Sequence, residues 1–190
     1  MRKNILLILI FLFGTILHIW FFGINEVMRV ADSFAYFQMS YFLSEFSQKW
    51  FGTGWFGFLY SLPIAVVQVL FQDDFLAAKI VNILLFNLWW FFLYQIAKKY
   101  LNYKYLLLLI ALYFLSPVLL HFNIHILSEN IYIPLFLGLV WFLQSFTKSP
   151  TYQKTVFLGV FIALMYLTRW EAFIYLGSLI ILFIGLFYKT

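Results

Sequence analysis

Cysteine is absent from this sequence, and charged residues are scarce. Without cysteine the chain can form no disulfide framework, thiolate nucleophile or cysteine-ligated metal centre. Charged residues make up 10% of the chain, whereas soluble domains contain about 25%. The sequence also lacks the patterns G-x-x-x-x-G-K-S/T, G-x-G-x-x-G and G-x-S-x-G, so nucleotide-driven and hydrolase functions have no support.

Apolar residues dominate the composition. Hydrophobic types make up 65% of the chain and aromatic types 24%, and the mean hydropathy is +0.97. A chain this apolar could not hide its side chains inside a water-soluble globule, so the composition predicts an integral membrane protein. The net charge of +5 would suggest nucleic acid in isolation. The positions of the charges indicate membrane topology instead, and no nucleic-acid partner is expected.

The apolar runs predict an all-α, polytopic transmembrane bundle of about six spans. A helix needs about 20 apolar residues to cross a bilayer core. The first run follows Arg2 and Lys3, is too long for the core of a signal peptide and has no A-x-A-like cleavage site after it, so it is predicted to be an uncleaved span. The predicted spans are Ile5–Ile24, Phe75–Ala97, Tyr105–Leu120, Asn130–Phe146, Thr155–Thr168 and Ala172–Tyr188.

The stretch Gly57–Phe71 is apolar but short, and it contains Pro63. If it is a re-entrant or surface-lying helix rather than a span, all seven acidic residues lie on or near the outer side. The positive-inside rule favours this arrangement, which makes residues 1–190 a single transmembrane domain with both termini cytoplasmic and an external segment Asn25–Asp74. Eight of the twelve basic residues then face the cytoplasm: Arg2, Lys3, Lys98, Lys99, Lys104, Lys148, Lys154 and Lys189.

The external segment contains a polar stripe with helical spacing. Its residues recur at steps of three, four or seven, which predicts an amphipathic juxtamembrane helix with its apolar side toward the membrane. Asp32 lies on the shoulder of the stripe, within reach of Arg29 by the i, i+3 relation. Alternatively, these polar groups only keep the helix hydrated. The stripe consists of Glu26, Arg29, Ser33, Ser40, Ser44 and Ser47.

A second polar cluster is the stretch HFNIHILSEN, which precedes the fourth span. Ser128 is expected to cap the following helix, with Glu129 favourable in its first turn. The spacing His-x3-His-x3-Glu would place His121, His125 and Glu129 on one helical face as metal ligands. A turn is predicted here instead of a continuous helix, so we expect interfacial histidines and neither a metal nor a cofactor.

A third polar feature is the stretch YLTRWEAF, where Arg169 and Glu171 interrupt a long apolar run. Ionisable residues at membrane depth usually pair or serve function, although a tight external turn with a weak surface ion pair would also explain them. Together, Asp32, Arg29, Glu129 and Arg169 place acids and cations on one side of the bundle. This combination suits transfer from an anionic lipid-linked donor. A carboxylate would accept the acceptor's proton and the cations would balance the leaving phosphate.

The order of these motifs resembles a known family. A first span precedes R-x-A-D-x-x-x-Y, a Gly/Trp loop, a proline-containing helix, a span ending in AKK, then SP, LSEN and G-x-x-x-A-L-x-x-L-T-R-x-E-A. This order resembles the membrane-embedded glycosyltransferases of the GT-C fold, specifically the protein-mannosyltransferase-like and aminoarabinose-transferase-like families. The resemblance covers nearly the whole chain, as the N-terminal part of the usual module.

The resemblance implies a function and a set of site residues. Asp32 matches the proposed catalytic base of the family, Glu129 matches an acid that lines its site, and Arg169 matches the arginine after the fifth span. Arg29 and Glu171 are expected to join Glu129 and Arg169 in substrate binding. The implied donor is a polyprenyl- or dolichyl-phosphate-linked sugar, and the implied active site faces away from the cytoplasm.

Two departures from the family pattern leave an alternative open. The stretch YSLPIAV has one proline, where many members have Pro-Pro-Leu with a nearby lysine or histidine, and members are usually much longer. The alternative is a truncated, non-catalytic module that binds lipid phosphate or a partner subunit supplying further spans. A small transporter is disfavoured, because transporters place charges near the membrane midplane and nearly all charges here lie at predicted membrane edges.

Overall fold

A computed structural model of the chain describes residues 2–24, 31–45, 58–149, 151–169, 172–174 and 177–178. Within these ranges the protein is helical and contains no strand, which confirms the all-α prediction. The predicted span Ala172–Tyr188 lies largely outside the described residues, and the Gly/Trp loop lies wholly outside them. The helices are α1 (Arg2–Ile24), α2 (Ala31–Ser44), α3 (Phe58–Phe71), α4 (Asp74–Ala97), α5 (Tyr103–Leu115), α6 (Pro117–Ile124), α7 (Glu129–Phe146) and α8 (Tyr152–Thr168).

Helix α4 is the one helix in the described part of the chain that is long and apolar enough to span a membrane, judged by length and composition. It has 24 residues, and 33% of its most apolar window is buried inside the protein. Most of the other residues of α4 are partly buried, and Leu76, Leu84, Leu88 and Phe91 are exposed. Helix α4 nevertheless lies at the centre of the fold, since it packs against α1, α3, α5, α6 and α7.

A tight turn joins α3 to α4. Gln72 has a positive φ of 54°, which reverses the chain direction. Asp73 then caps α4, because its side chain accepts hydrogen bonds from the backbone N–H groups of Phe75 at 2.9 Å and Leu76 at 3.0 Å. Such a cap satisfies two of the donors that every helix start leaves without a partner in the helix.

The turn folds α3 back along the first part of α4. Near the turn, Gln68 Nε2 donates to Asp74 Oδ1 at 2.5 Å, and farther away the Tyr60 hydroxyl donates to Asn82 Oδ1 at 2.6 Å. The first pair lies close to the turn on both helices and the second pair lies far from it on both helices. Helices α3 and α4 are therefore antiparallel neighbours.

The predicted span Tyr105–Leu120 is wrong as one continuous helix. Helix α5 ends at Leu115 and α6 begins at Pro117, with Ser116 between them in an extended conformation at φ −70° and ψ 112°. A residue before proline is disfavoured in the helical region, while proline itself suits the first helical position. Ser116 Oγ also accepts a hydrogen bond from Leu119 N at 3.4 Å, which starts α6 as a separate helix.

The polar stripe of α2 faces the protein interior at Ser33 and Ser40, which contradicts the predicted hydrated polar face at these two residues. Ser44 is only partly buried, and Glu26, Arg29 and Ser47 lie outside the described residues. Ser33 and Ser40 are fully buried, together with Tyr36 and Met39, whereas Phe34 is 60% exposed. The Ser40 hydroxyl donates to the Phe37 carbonyl at 2.9 Å. Serine satisfies its hydroxyl group locally and is small, so this face can pack closely against α3.

Three apolar clusters hold the helices together. The first joins α4 and α5 around Phe86, Trp89 and Phe114, with part of α1 against it. The second joins α2, α3, the start of α4 and the α6–α7 connection around Tyr36, Tyr60 and Ile126. The third joins α7 and α8 and extends to Ala172. The α6–α7 connection is thus part of the second cluster and is buried instead of forming a surface loop.

Hydrogen bonds between α4 and the region of α7 show how far α4 extends beyond the start of α7. Asn82 and Trp89 both contact the region of residues 125–130, and Lys99 at the other end contacts Gln144 of α7. Residues 74–81 of α4 therefore extend beyond the start of α7. With a rise of about 1.5 Å per residue this projection is about 12 Å long, and α3 packs along it.

Candidate functional site

An ion pair joins the start of α7 to the end of α8. Arg169 Nη1 donates to Glu129 Oε1, and the two side chains are 32% and 31% exposed. The pair forms because α7 and α8 are neighbours joined by a short connection, so the first residue of α7 lies near the residue that ends α8. Glu129 and Arg169 were predicted separately as site residues, and the structure brings them together.

Ser128 occupies the position before α7 but does not cap it with its side chain. Its backbone is helical, at φ −60° and ψ −21°, whereas a capping serine needs extended backbone angles. The prediction of a Ser128 side-chain cap is therefore wrong. The Ser128 hydroxyl lies 3.5 Å from Glu129 Oε2 instead. Glu129 is in the first turn of α7, as predicted, where the helix dipole favours a negative charge.

Two asparagine side chains hold the connection that leads to Glu129. The backbone carbonyl of His125 accepts hydrogen bonds from Asn82 Nδ2 at 3.2 Å and Asn130 Nδ2 at 2.8 Å. Asn82 and Asn130 are each 1% exposed. A carbonyl buried without such donors would cost about 1–3 kcal/mol, so these amides stabilise the turn at this place in the fold.

Tyr60 and Trp89 extend this network into α3 and α4. Trp89 Nε1 donates to the Asn130 carbonyl at 2.8 Å, and the Tyr60 hydroxyl donates to Asn82. Both aromatic side chains are buried. Helices α3, α4 and α7 are thus connected through polar groups in a region otherwise filled by apolar side chains.

The start of α2 lies against the same connection. The Ser33 hydroxyl donates to the Ile126 carbonyl at 3.3 Å, and both residues are fully buried. Asp32 immediately precedes Ser33 in the first turn of α2, and its side chain is outside the described part of the structure. The chain position of the predicted base is therefore close to the residues that lead into Glu129.

The remaining site predictions have different outcomes. Arg29 and Glu171 lie outside the described residues, so their predicted roles in substrate binding stay predictions. His125 Nδ1 is 2.7 Å from the His121 carbonyl oxygen, and the two imidazole rings are 4.3 Å apart between centroids. Among the described residues, no three side chains of the metal-ligating types are grouped for a metal ion. Glu129 is paired with Arg169 instead of with the histidines.

Two apolar cavities accompany the described helices, and neither is lined by Glu129 or Arg169. One of about 280 Å³ lies between the end of α2 and α3, against Phe42, Leu62 and Val66. The other, of about 330 Å³, lies beside α8 against Gly159, Tyr166 and Phe173. Both are lined almost entirely by apolar side chains, which suits hydrocarbon better than a sugar.

The buried polar residues that hold the candidate site in place do not stand out in the sequence. Tyr60, Asn82 and Asn130 lie within apolar stretches. A signal was available, because an asparagine inside a long apolar run must find a hydrogen-bond partner when it is buried. The partners themselves are up to 43 residues away in the chain, and sequence spacing does not identify them.

Comparison with known proteins gives no relative: no protein-family model, no curated protein and no solved structure matches this chain.

Proposed function

We propose that the chain is a multi-pass membrane protein with six spans and cytoplasmic termini. Support comes from the apolar composition, from the length of α4 and from the many exposed apolar side chains of α1, including Leu12, Phe13 and Ile16. Contiguous apolar surface of this kind marks membrane or protein contact. In this topology the projecting end of α4, α2, α3 and the α6–α7 connection all lie on the external side.

The function that we propose is transfer of a sugar from a polyprenyl-phosphate-linked donor to an acceptor on the external side. It rests on the resemblance to GT-C glycosyltransferases together with one observation. The Glu129–Arg169 pair lies at the open end of the α7–α8 hairpin. Ile126, three residues before Glu129, accepts a hydrogen bond from Ser33 at the start of α2. Acid and cation are therefore available at the same end of the bundle as the predicted base.

Each residue has a chemical role in this proposal. Asp32 accepts the proton of the acceptor hydroxyl or amine as general base. Arg169, with Arg29, stabilises the negative charge that develops on the phosphate leaving group. Glu129 and Glu171 line the site beside these cations. The reaction forms a glycosidic bond to the acceptor and breaks the bond between the sugar and the lipid phosphate.

The alternative is a non-catalytic module that binds lipid phosphate or a partner subunit. One observation favours it, namely that the cavities beside α2 and α3 and beside α8 are apolar, which suits a lipid chain better than a sugar. An enzyme needs space for both donor and acceptor beside its base. A binding module needs only a groove for the lipid chain and a cation for the phosphate.

A transfer assay separates the two proposals. The purified full-length protein in phosphatidylcholine nanodiscs is incubated with a panel of radiolabelled polyprenyl-phosphate sugars and with candidate acceptors. Transfer of label to an acceptor supports the enzyme. Retention of labelled lipid by the protein without transfer supports the binding module. If label is neither transferred nor retained for any donor in the panel, both proposals are contradicted.

A further inference from the structure

We propose that Glu129 and a phosphate group compete for Arg169, so that the ion pair between α7 and α8 is a latch opened by an anionic phosphate ligand. This inference rests on the proposed function, since it assigns the phosphate of the lipid-linked donor as the competing group. It adds that the structure described here is the closed form of the site. In that form a carboxylate of the chain occupies the place of the ligand.

The geometry of the pair allows such an exchange. Arginine presents a planar fork of N–H donors that matches either a carboxylate or a phosphate. Arg169 Nη1 contacts Glu129 Oε1, and about a third of each side chain is exposed. A ligand can therefore approach the guanidinium group without opening the core. Ion pairs that are partly exposed are weak, so the singly charged phosphodiester of the lipid-linked donor can compete with the carboxylate for the guanidinium group.

Glu129 remains stabilised after it leaves Arg169. Its position at the first turn of α7 places the carboxylate near the positive end of the helix dipole. The Ser128 hydroxyl, 3.5 Å from Oε2, is a neighbouring hydrogen-bond donor. An acid stripped of its only stabilising contact would resist the exchange, whereas this acid retains two.

The backbone around the latch is fixed. Arg169 N donates to the Met165 carbonyl at 3.0 Å, and the Thr168 hydroxyl donates to the same carbonyl at 2.5 Å. On the other side, the carbonyl of His125 and that of Ile126 are held by buried side chains. The exchange can therefore be made by new rotamers of Glu129 and Arg169 on this fixed backbone.

The test is a binding experiment, which needs no catalytic turnover. The full-length protein in phosphatidylcholine nanodiscs is titrated with decaprenyl phosphate, with decaprenol and with inorganic phosphate. Glu129→Gln should bind decaprenyl phosphate about two- to fivefold more tightly than the parent, because it removes a competitor whose ion pair is weak. Arg169→Gln should bind more weakly, and adding Glu129→Gln to Arg169→Gln should give no gain.

The matched control is Glu45→Gln, which removes one negative charge from the exposed end of α2. It should leave the affinity unchanged, which separates a specific latch from a general change in charge. Decaprenol should bind without response to any of these variants. Tightening with inorganic phosphate alone would assign the latch to free phosphate instead of the lipid, and tightening with both assigns it to the shared phosphate group.

The outcomes distinguish a failure of the latch from a failure of the proposed function. If the parent binds decaprenyl phosphate but Glu129→Gln binds no more tightly, or gains no more than Glu45→Gln, the latch is wrong and the proposed function stands. If the parent binds neither phosphate ligand, the proposed function is wrong and the latch with it. A gain that persists in the Arg169→Gln background would also overturn the latch, because it would not act through Arg169.

Discussion

Two backbone carbonyl groups, those of His125 and Ile126, organise the candidate site at the scale of single residues. Side chains of α2, α4 and α7 donate to them, and all three donors are buried. Because these bonds fix the turn before Glu129, they also fix the position of the Glu129 backbone, from which the carboxylate side chain extends. The chemistry of the site is thus positioned by uncharged residues, although its charged residues are the ones that the sequence makes visible.

The first prediction concerns Asp32. If Asp32 is the general base, Asp32→Asn should fold and insert normally but lose turnover by about 10²–10⁴-fold, because the amide keeps the shape and cannot accept the proton. Turnover is measured with the labelled donor identified in the transfer assay, and folding by thermal unfolding. A variant with parental turnover would show that Asp32 is not the general base and only keeps its helix hydrated.

The second prediction concerns Tyr60. Tyr60→Phe removes the hydroxyl that donates to Asn82 at 2.6 Å in a fully buried place. The loss should lower the free energy of unfolding by about 1–3 kcal/mol, as expected when a buried hydrogen-bond group loses a partner. Denaturant titration in detergent measures the change.

The control for Tyr60 is Tyr41→Phe, which removes the same hydroxyl from an exposed tyrosine of α2. It should change the free energy of unfolding by less than about 0.5 kcal/mol. Equal effects of the two substitutions would mean that the buried network contributes nothing specific to stability.

At the scale of elements, the helices with clear sequence limits were predicted well. Helix α4 begins and ends within a residue of the predicted Phe75–Ala97, and α7 within one residue of Asn130–Phe146. The sequence shows these limits because Asp73 caps the start of α4, two lysines follow the end of α4, and a Lys-Ser-Pro stretch follows the end of α7. Composition and local capping act within a few residues, so sequence patterns reveal them.

Features that depend on distant partners were not predictable. The serines of α2 repeat like a hydrated stripe, and only the contact of Ser33 with Ile126, 93 residues away, shows that this face is buried. Likewise, the sequence predicts Glu129 and Arg169 as site residues but not their ion pair, which spans 40 residues. The break between α5 and α6, by contrast, follows from the local Ser116–Pro117 pair.

The third prediction belongs to α1. A Cβ atom at Gly14 would overlap the ring of Phe114 on α5, whereas a Cβ atom at Gly23 meets nothing within 4 Å. Gly14→Ala should therefore destabilise the protein by about 1–3 kcal/mol through overpacking. Thermal unfolding in detergent measures the effect.

Gly23→Ala is the matched control in the same helix. Alanine is favoured over glycine in helices by about 1 kcal/mol, so this variant should be neutral or slightly stabilised. If Gly14→Ala were as stable as Gly23→Ala, α1 would not pack against α5 at this position.

At the scale of the whole molecule, the pairing of α3 with α4 bears on topology. The hairpin turns at Gln72 and Asp73, and this turn lies at the far end of the part of α4 that projects past α7. In the proposed topology the turn lies on the external side. The absence of cysteine makes this assignment directly testable by labelling.

The fourth prediction uses single cysteines at Lys49, Gln72 and Lys104. If α3 does not cross, as proposed, Lys49→Cys and Gln72→Cys should both react with an impermeant thiol reagent from outside intact cells. Lys104→Cys is the control and should react only after the membrane is opened. Reaction of Gln72→Cys only from the cytoplasm would contradict the proposed topology and reverse every later connection.

The network around His125 also sets the order in which the protein can be completed during synthesis. Asn82 finds its carbonyl partner 43 residues later in the chain, and Ser33 finds its partner 93 residues later. At about 5–20 residues per second, the ribosome needs roughly 2–9 seconds to make the residues between Asn82 and His125. During that interval α2, α3 and α4 exist without the turn that satisfies their polar groups. The part of the protein formed by α2, α3 and the start of α4 must therefore close late, after α7 has been synthesised. A nascent chain stopped before residue 125 should be a better target for quality-control proteases than one stopped after α7.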